Sequence, residues 1–149
     1  MEMDKVTVWY LRDNEAGTKI VNAITGLGLT VNLITGYKLH HANIVEDEIN
    51  VFIFDIINTD PDQLIKEMAK DERLQSYLKF MMVKKSQVKE IAKLNYNLMH
   101  LELLNRPVDM REFLLLLEKS IIVERYREIM KFISKEAESR IEAYEGLMD

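Results

Sequence analysis

The sequence predicts an α/β fold: a doubly wound, five-stranded parallel sheet followed by an extended C-terminal helix. Three observations lead there. Segments rich in β-branched and aromatic residues alternate with segments of helical spacing from Val6 to Ser120. One of them, Val51-Phe52-Ile53-Phe54, is a continuous apolar run closing on Asp55, the pattern of a parallel strand covered by helices on both faces. From Met110 the chain then runs to its end without a proline.

Each element has its own signal. Val6-Thr7-Val8-Trp9-Tyr10-Leu11 reads as the first strand. Arg12-Asp13-Asn14-Glu15 follows as a polar loop. Ala16 to Leu27 carries Ile20, Val21, Ile24 and Leu27 at helical spacing, with Gly28 as the cap. Thr30 to Ile34 is the second strand, and Tyr37 to Val45 a weak helix with Leu39, Ala42 and Val45 inside. Val51 to Phe54 is the third strand. Pro61 opens a helix running to about Leu74, at the one position where a missing N–H does no harm. Tyr77 to Val83 is the fourth strand. Ser86 is placed to cap a helix through Tyr96. Leu98 to Leu104 is the fifth strand. Asp109 with Glu112 starts the last helix as a capping box.

The composition excludes several classes. With 149 residues there is room for one domain and little more. A net charge of −5 argues against a general nucleic-acid binder, which must neutralise phosphates. There are no cysteines, hence no disulfide, thiolate nucleophile or cysteine metal site. No apolar segment approaches the ~20 residues of a membrane span. The charged start, Met1 to Lys5, runs straight into a strand, so no signal peptide and a cytoplasmic location are expected.

Asp55 ends the third strand, where open α/β sheets place their ligand chemistry. The strand–helix order and the residues at the strand ends resemble the receiver domain of bacterial two-component response regulators (CheY-like, on a flavodoxin-like sheet) over roughly Lys5 to Ser120. The family's acidic pair after the first strand matches Arg12-Asp13. Its phospho-accepting aspartate matches Asp55. Its hydroxyl residue after the fourth strand falls on Lys84, its Lys-Pro pair on Arg106-Pro107, and its fifth-strand aromatic on Leu103. The resemblance also implies a cis peptide before Pro107.

The departures from the family matter more than the matches. In an intact receiver, acidic residues hold a Mg²⁺ ion beside the phospho-acceptor. Here Asp13 and Asp55 stand against Arg12, Lys84 and Arg106. A divalent cation needs oxygen ligands and a negative cage, and phosphoryl transfer needs the metal and fixed donors. The expectation is therefore a degenerate, pseudo-receiver site with no cofactor and no metal. Asp55 is expected to pair with a basic side chain, Lys84 first and Arg106 second. The alternatives are a phosphorylatable receiver using Asp55, and an anion site drawn by Arg12, Lys84, Lys85 and Arg106.

Other candidates give way to plainer readings. His40-His41 has no carboxylate at i+3 or i+4 and reads as solvated. His100 reads as a strand histidine. Glu46-Asp47-Glu48 lacks the alternating ligands and glycine of a calcium loop. Gly26-Leu27-Gly28 ends a helix instead of opening one, so no dinucleotide site is expected. Lys79, Lys84, Lys85 and Lys89 read as a solvated basic face.

Beyond Ser120 the pattern changes. Ile122, Tyr126, Ile129-Met130, Ile133, Ala137, Ile141, Tyr144 and Met148 recur at steps of three and four, leaving one apolar stripe. Over roughly 40 Å of helix the stripe cannot all be buried on its own domain. Residues 1–120 are thus expected to form the receiver-like domain. Residues 121–149 should form a helical extension that dimerises through Ile122, Tyr126, Ile129, Ile133, Ala137, Ile141 and Tyr144. A short coiled coil fits, although the register shifts near Ala137; folding back on the sheet is the rival. The end, Glu145-Gly146-Leu147-Met148-Asp149, carries no terminator and would allow the helix to continue into an output domain. The function expected is non-enzymatic: a signalling module acting through a protein partner or output domain and as a homodimer, with no nucleic acid and no membrane.

Overall fold

The protein is described by a computed structural model covering residues 6–13, 17–37, 42–44, 48–57, 59–93 and 100–148. Its strands are β1 (Val6–Arg12), β2 (Thr30–Thr35), β3 (Ile49–Asp55), β4 (Leu78–Val83) and β5 (Leu101–Asn105). Its helices are α1 (Thr18–Gly26), α2 (Pro61–Lys70), α3 (Lys85–Ala92) and α4 (Met110–Met148), with a 3₁₀ turn at Glu72–Leu74. The strands form one parallel sheet in the order β2-β1-β3-β4-β5.

The burial explains the composition. β3 is central and buried from end to end, which is why it could be written almost wholly in Val, Ile and Phe. The edge strands β2 and β5 are exposed or partly buried at every residue except Ile34. On one face of the sheet Trp9 stacks on Phe52 at 6.5 Å between ring centroids, and Phe52 on Phe54 at 6.4 Å. The Trp9 indole donates to Asn50 Oδ1 at 3.0 Å, so this buried polar pair is satisfied. Phe80 meets Phe113 edge to face at 5.9 Å.

The helix ends follow their caps. Asp60 accepts from the Asp62 amide at 3.1 Å, with Pro61 as the first helical residue of α2. Asp109 accepts from the Glu112 amide at 3.2 Å. Leu27 caps α1, and Gly28 follows with φ +86°, the left-handed backbone that favours glycine.

Four details differ from the sequence reading. The weak helix expected over Tyr37 to Val45 is not seen at 42–44, which have no regular structure; 38–41, with His40-His41, and 45–47 lie outside the described residues. The α3 cap is Lys84 and not Ser86: the Gln87 side chain accepts from the Lys84 amide at 2.9 Å and the helix starts two residues earlier. The expected end of that helix and start of β5, residues 94–99, are likewise outside the described residues. His100 sits not in β5 but in a turn before it, with φ +61°, its carbonyl accepting from the Lys79 amide at 2.9 Å. Finally, Lys79 is not on a solvated face. It is 0% exposed, and its ammonium donates to the carbonyls of Leu74 and Tyr77, the latter at 2.8 Å. Burial pulls its pKa down to about 8.

The chain divides into two compact units, Met1–Leu114 and Leu115–Asp149, the break falling within α4 and ahead of Ser120. The second unit is helical to Met148, and every residue from Ile129 to Leu147 is exposed. No described helix is long and apolar enough to cross a membrane.

Candidate functional site

The strand register sets the site. Arg12 lies beside Asp55, Asp55 beside Met82, and Val83 beside Asn105, so β1, β3, β4 and β5 end level with one another. Residues just past these ends are therefore brought together at the carboxyl edge of the sheet. Because side chains alternate faces, Tyr10 and Arg12 share a side of β1, and in register Ile53 and Asp55 share a side of β3.

Asp55 is 1% exposed. Its two carboxylate oxygens have different partners. Oδ2 accepts from the Tyr10 hydroxyl at 2.5 Å. Oδ1 is in ion contact with the Arg106 guanidinium. Arg106 also donates through Nε and Nη2 to the Ile56 carbonyl, at 3.2 and 3.0 Å, so it is tied to β3 by backbone as well as by charge. The Arg106 amide in turn donates to the Val83 carbonyl at 2.9 Å, fixing the residue past β5 against the end of β4. The Arg106–Pro107 peptide is cis.

The surrounding polar groups close the arrangement. The Tyr37 hydroxyl donates to the Asp55 backbone carbonyl at 2.7 Å. Asp13 accepts from the Ile57 amide at 3.0 Å and from the Thr59 hydroxyl at 2.9 Å. Burial raises the pKa of Tyr10 from 10.0 to about 12, with Arg106 and Arg12 pulling the other way. Burial first, then the neighbouring Asp13 charge, pushes Tyr37 higher still. Both phenols therefore remain hydrogen-bond donors at any ordinary pH.

Gly17 completes the enclosure. It has φ +81°, and a Cβ placed there would run into the Tyr10 hydroxyl and lie 2.7 Å from Asp55 Oδ2. Only a residue without a side chain lets the start of α1 come this close. The positive end of the α1 dipole then faces the carboxylate, a favourable charge placement.

Of the residues singled out from the sequence, Arg12, Asp13, Asp55, Arg106 and Pro107 gather at this edge, and Lys84 does not join them. Lys84 is exposed, and its backbone is engaged in capping α3. The basic side chain in ion contact with Asp55 is that of Arg106. Tyr10, Tyr37, Gly17 and Thr59 were not anticipated. The signal for Tyr10 lay in the register: two residues before Arg12 on β1, it points to the same face as Asp55.

The Mg²⁺ ion that the resemblance implies does not fit these residues. Asp13 spends its oxygens on Ile57 and Thr59, and Asp55 spends its own on Tyr10 and Arg106. No group of three or more His, Asp or Glu able to hold a metal occurs among the described residues. A guanidinium in contact with the carboxylate supplies the positive charge that a cation would bring.

The fold is that of response-regulator receiver domains. No family model matches the sequence, and no curated protein does. Solved structures do match. One is the signal receiver domain of an HD domain-containing protein from Pseudomonas fluorescens Pf-5, with a TM-score of 0.59 and 16% identity over 83% of this chain and 91% of that one. A sensor protein from Polaromonas sp. JS666 superposes with a TM-score of 0.57 and 14% identity over 77% and 94%. A response regulator from Colwellia psychrerythraea gives 0.55 and 13% over 81% and 97%. Identities this low speak for the fold and leave function to the site.

Proposed function

We propose that this chain is a non-catalytic pseudo-receiver, a two-component-like signalling module that works in the cytoplasm by protein–protein contact. The observation that carries the reading is the occupancy of Asp55. Both its oxygens are engaged from within the chain, by Tyr10 and by Arg106. A phosphoryl acceptor must expose an oxygen to the incoming group, with a cation to neutralise the moving charge. Here the oxygens are covered and the charge is already balanced by Arg106. Asp55 then serves as the brace that holds the ends of β1, β3 and the loop after β5 in one arrangement.

The signal would pass to a protein partner or an output domain, and the second unit supplies a surface for association. Ile122, Tyr126, Ile133, Ile141 and Tyr144 are all more than half exposed, and Ile129 nearly so. An exposed apolar row of this size favours pairing. A second copy buries the same row on both chains about a two-fold axis, the commonest way for homo-oligomers to close.

Incubation with a small-molecule phosphodonor and Mg²⁺, read by intact mass, tests the central part. The unmodified mass is expected throughout. A species heavier by one phosphoryl group, absent from Asp55→Asn, would establish the phosphorylatable reading instead.

A further inference from the structure

The geometry points to an antiparallel pairing of α4 with α4 of a second copy, centred between Met130 and Ile133. This inference rests on the dimer reading above and adds its orientation. α4 already buries one face, through Phe113, Leu117 and Ile121. At 3.6 residues per turn the exposed apolar arc lies about half a turn away, so it is a second, separate surface.

Two features of that arc bear on the orientation. The first is its spacing, which admits an antiparallel register. Ile122, Tyr126, Met130, Ile133, Ala137 and Ile141, all exposed, follow one another at steps of 4, 4, 3, 4 and 4. The order of steps is the same from either end. Laid antiparallel, Ile122 faces Ile141, Tyr126 faces Ala137 and Met130 faces Ile133 in a single register, and each pairing occurs twice by symmetry.

The second is charge. Between Glu124 and Lys135 the helix carries Arg125, Arg127, Lys131 and Lys135 against Glu124 and Glu128, with Arg127 in contact with Glu124 at 3.2 Å. Between Glu136 and Glu145 it carries Glu136, Glu138, Glu142 and Glu145 against Arg140. The basic stretch precedes the acidic one along the axis. A parallel pair would set Arg125 and Arg127 beside their own copies, and Glu136 and Glu138 beside theirs. The antiparallel register sets Arg125 and Arg127, which flank the arc on its two sides, next to Glu136 and Glu138 of the second copy. Complementary charges at such flanking positions select partner orientation more than they add affinity.

The chain's lack of cysteine makes a direct test available. Ile122→Cys and Ile141→Cys are made as separate full-length variants and oxidised mildly, alone and mixed. In the antiparallel pair, two copies of position 122 lie 19 residues apart along the axis, 141 less 122, or roughly 28 Å. Cysteines cannot bridge beyond about 7 Å between Cα atoms. Each variant alone should stay uncrosslinked, and the mixture should yield a disulfide-linked dimer. Crosslinking of each variant with itself overturns the orientation and leaves the dimer standing. A chain that sediments as a monomer at tens of micromolar overturns both.

Charge reversal gives a second readout. Glu136→Arg with Glu138→Arg should weaken association about tenfold, or ~1.4 kcal/mol, and adding Arg125→Glu with Arg127→Glu should restore it. In a parallel pair the first change would leave like beside like, and association would not move.

Discussion

The carboxyl edge of the sheet and the helical second unit are opposites in how they treat their side chains. At the sheet edge, buried polar groups have partners within the chain: Asp55 takes a hydrogen bond from Tyr10 and the charge of Arg106, and Asp13 takes hydrogen bonds from Ile57 and Thr59. In the second unit, apolar groups that would be favourable to bury are left in water, Tyr126 and Tyr144 at 66% exposure each. The first region has its partners inside the chain, and the second leaves its apolar groups open to water, which is the contrast on which the proposed association rests.

That contrast can be broken most sharply at the helix. Ile133→Asp with Ile141→Asp removes apolar side chains worth about 1.5–3 kcal/mol each when buried. Counted on both copies, association should fall roughly a thousandfold or more. Sedimentation should show a monomer while the thermal unfolding of the sheet domain stays where it was. A loss of the fold would mean that these residues belong to a core after all.

At the sheet edge, Arg106→Ala leaves a buried carboxylate without its cation and should cost about 3–5 kcal/mol in urea unfolding. Lys84→Ala, by contrast, should stay within about 0.5 kcal/mol, as exposed positions do. Equal losses for the two would mean that Lys84 shares the pairing. Tyr10→Phe comes next, at about 1.5–3 kcal/mol for a hydrogen bond to a charged group. Because Tyr10 and Arg106 act on one carboxylate, the double variant should depart from additivity.

The smallest effect is a pH slope. Lys79 has a folded pKa near 8, below its ordinary 10.5, so the folded state holds its proton less tightly than the unfolded chain. Stability from this group is full above about 10.5 and is lost as pH falls towards 8. Tyr10 has the opposite sign: its pKa is raised from 10.0 to about 12, so its contribution is full below 10 and lost as pH rises through 12. Of these two groups, Lys79 is the one that acts between pH 8 and 10. Lys79→Met should flatten the rise in stability across that interval; an unchanged slope would place the lysine in water.

The sheet was legible because its strands are short, mostly apolar runs. Asp55 could be placed by the end of the run at Phe54, and Arg106 by the resemblance of Arg106-Pro107 to the receiver family's Lys-Pro pair. What failed were cases where tertiary context overrules a residue's usual habit. Lys79 read as solvated, yet β4 lies between β3 and β5, and its register partners are Phe52 and Leu101. The ammonium is then held by the carbonyls of Leu74 and Tyr77, in the turn that leads into its strand. The sequence reading ranked Lys84 ahead of Arg106 as the partner of Asp55, and the structure gives that contact to Arg106. The difference is local: Lys84 is used up in starting α3, while Arg106 is anchored to Val83 and Ile56. Tyr10 was invisible as a site residue because a tyrosine in a strand needs no explanation.

The claim that the site is closed is tested most directly by titrating the protein with Mg²⁺ and then beryllofluoride, a phosphoryl analogue, while following the amide resonances of Asp55, Ile56 and Ile57. The account expects these resonances to stay in place at millimolar Mg²⁺ with the analogue present, and Arg106→Ala to remain the change that moves them. Saturable shifts centred on Asp55 in the unaltered chain would contradict it, showing that the carboxylate can leave Tyr10 and Arg106 to take a metal and a phosphoryl group.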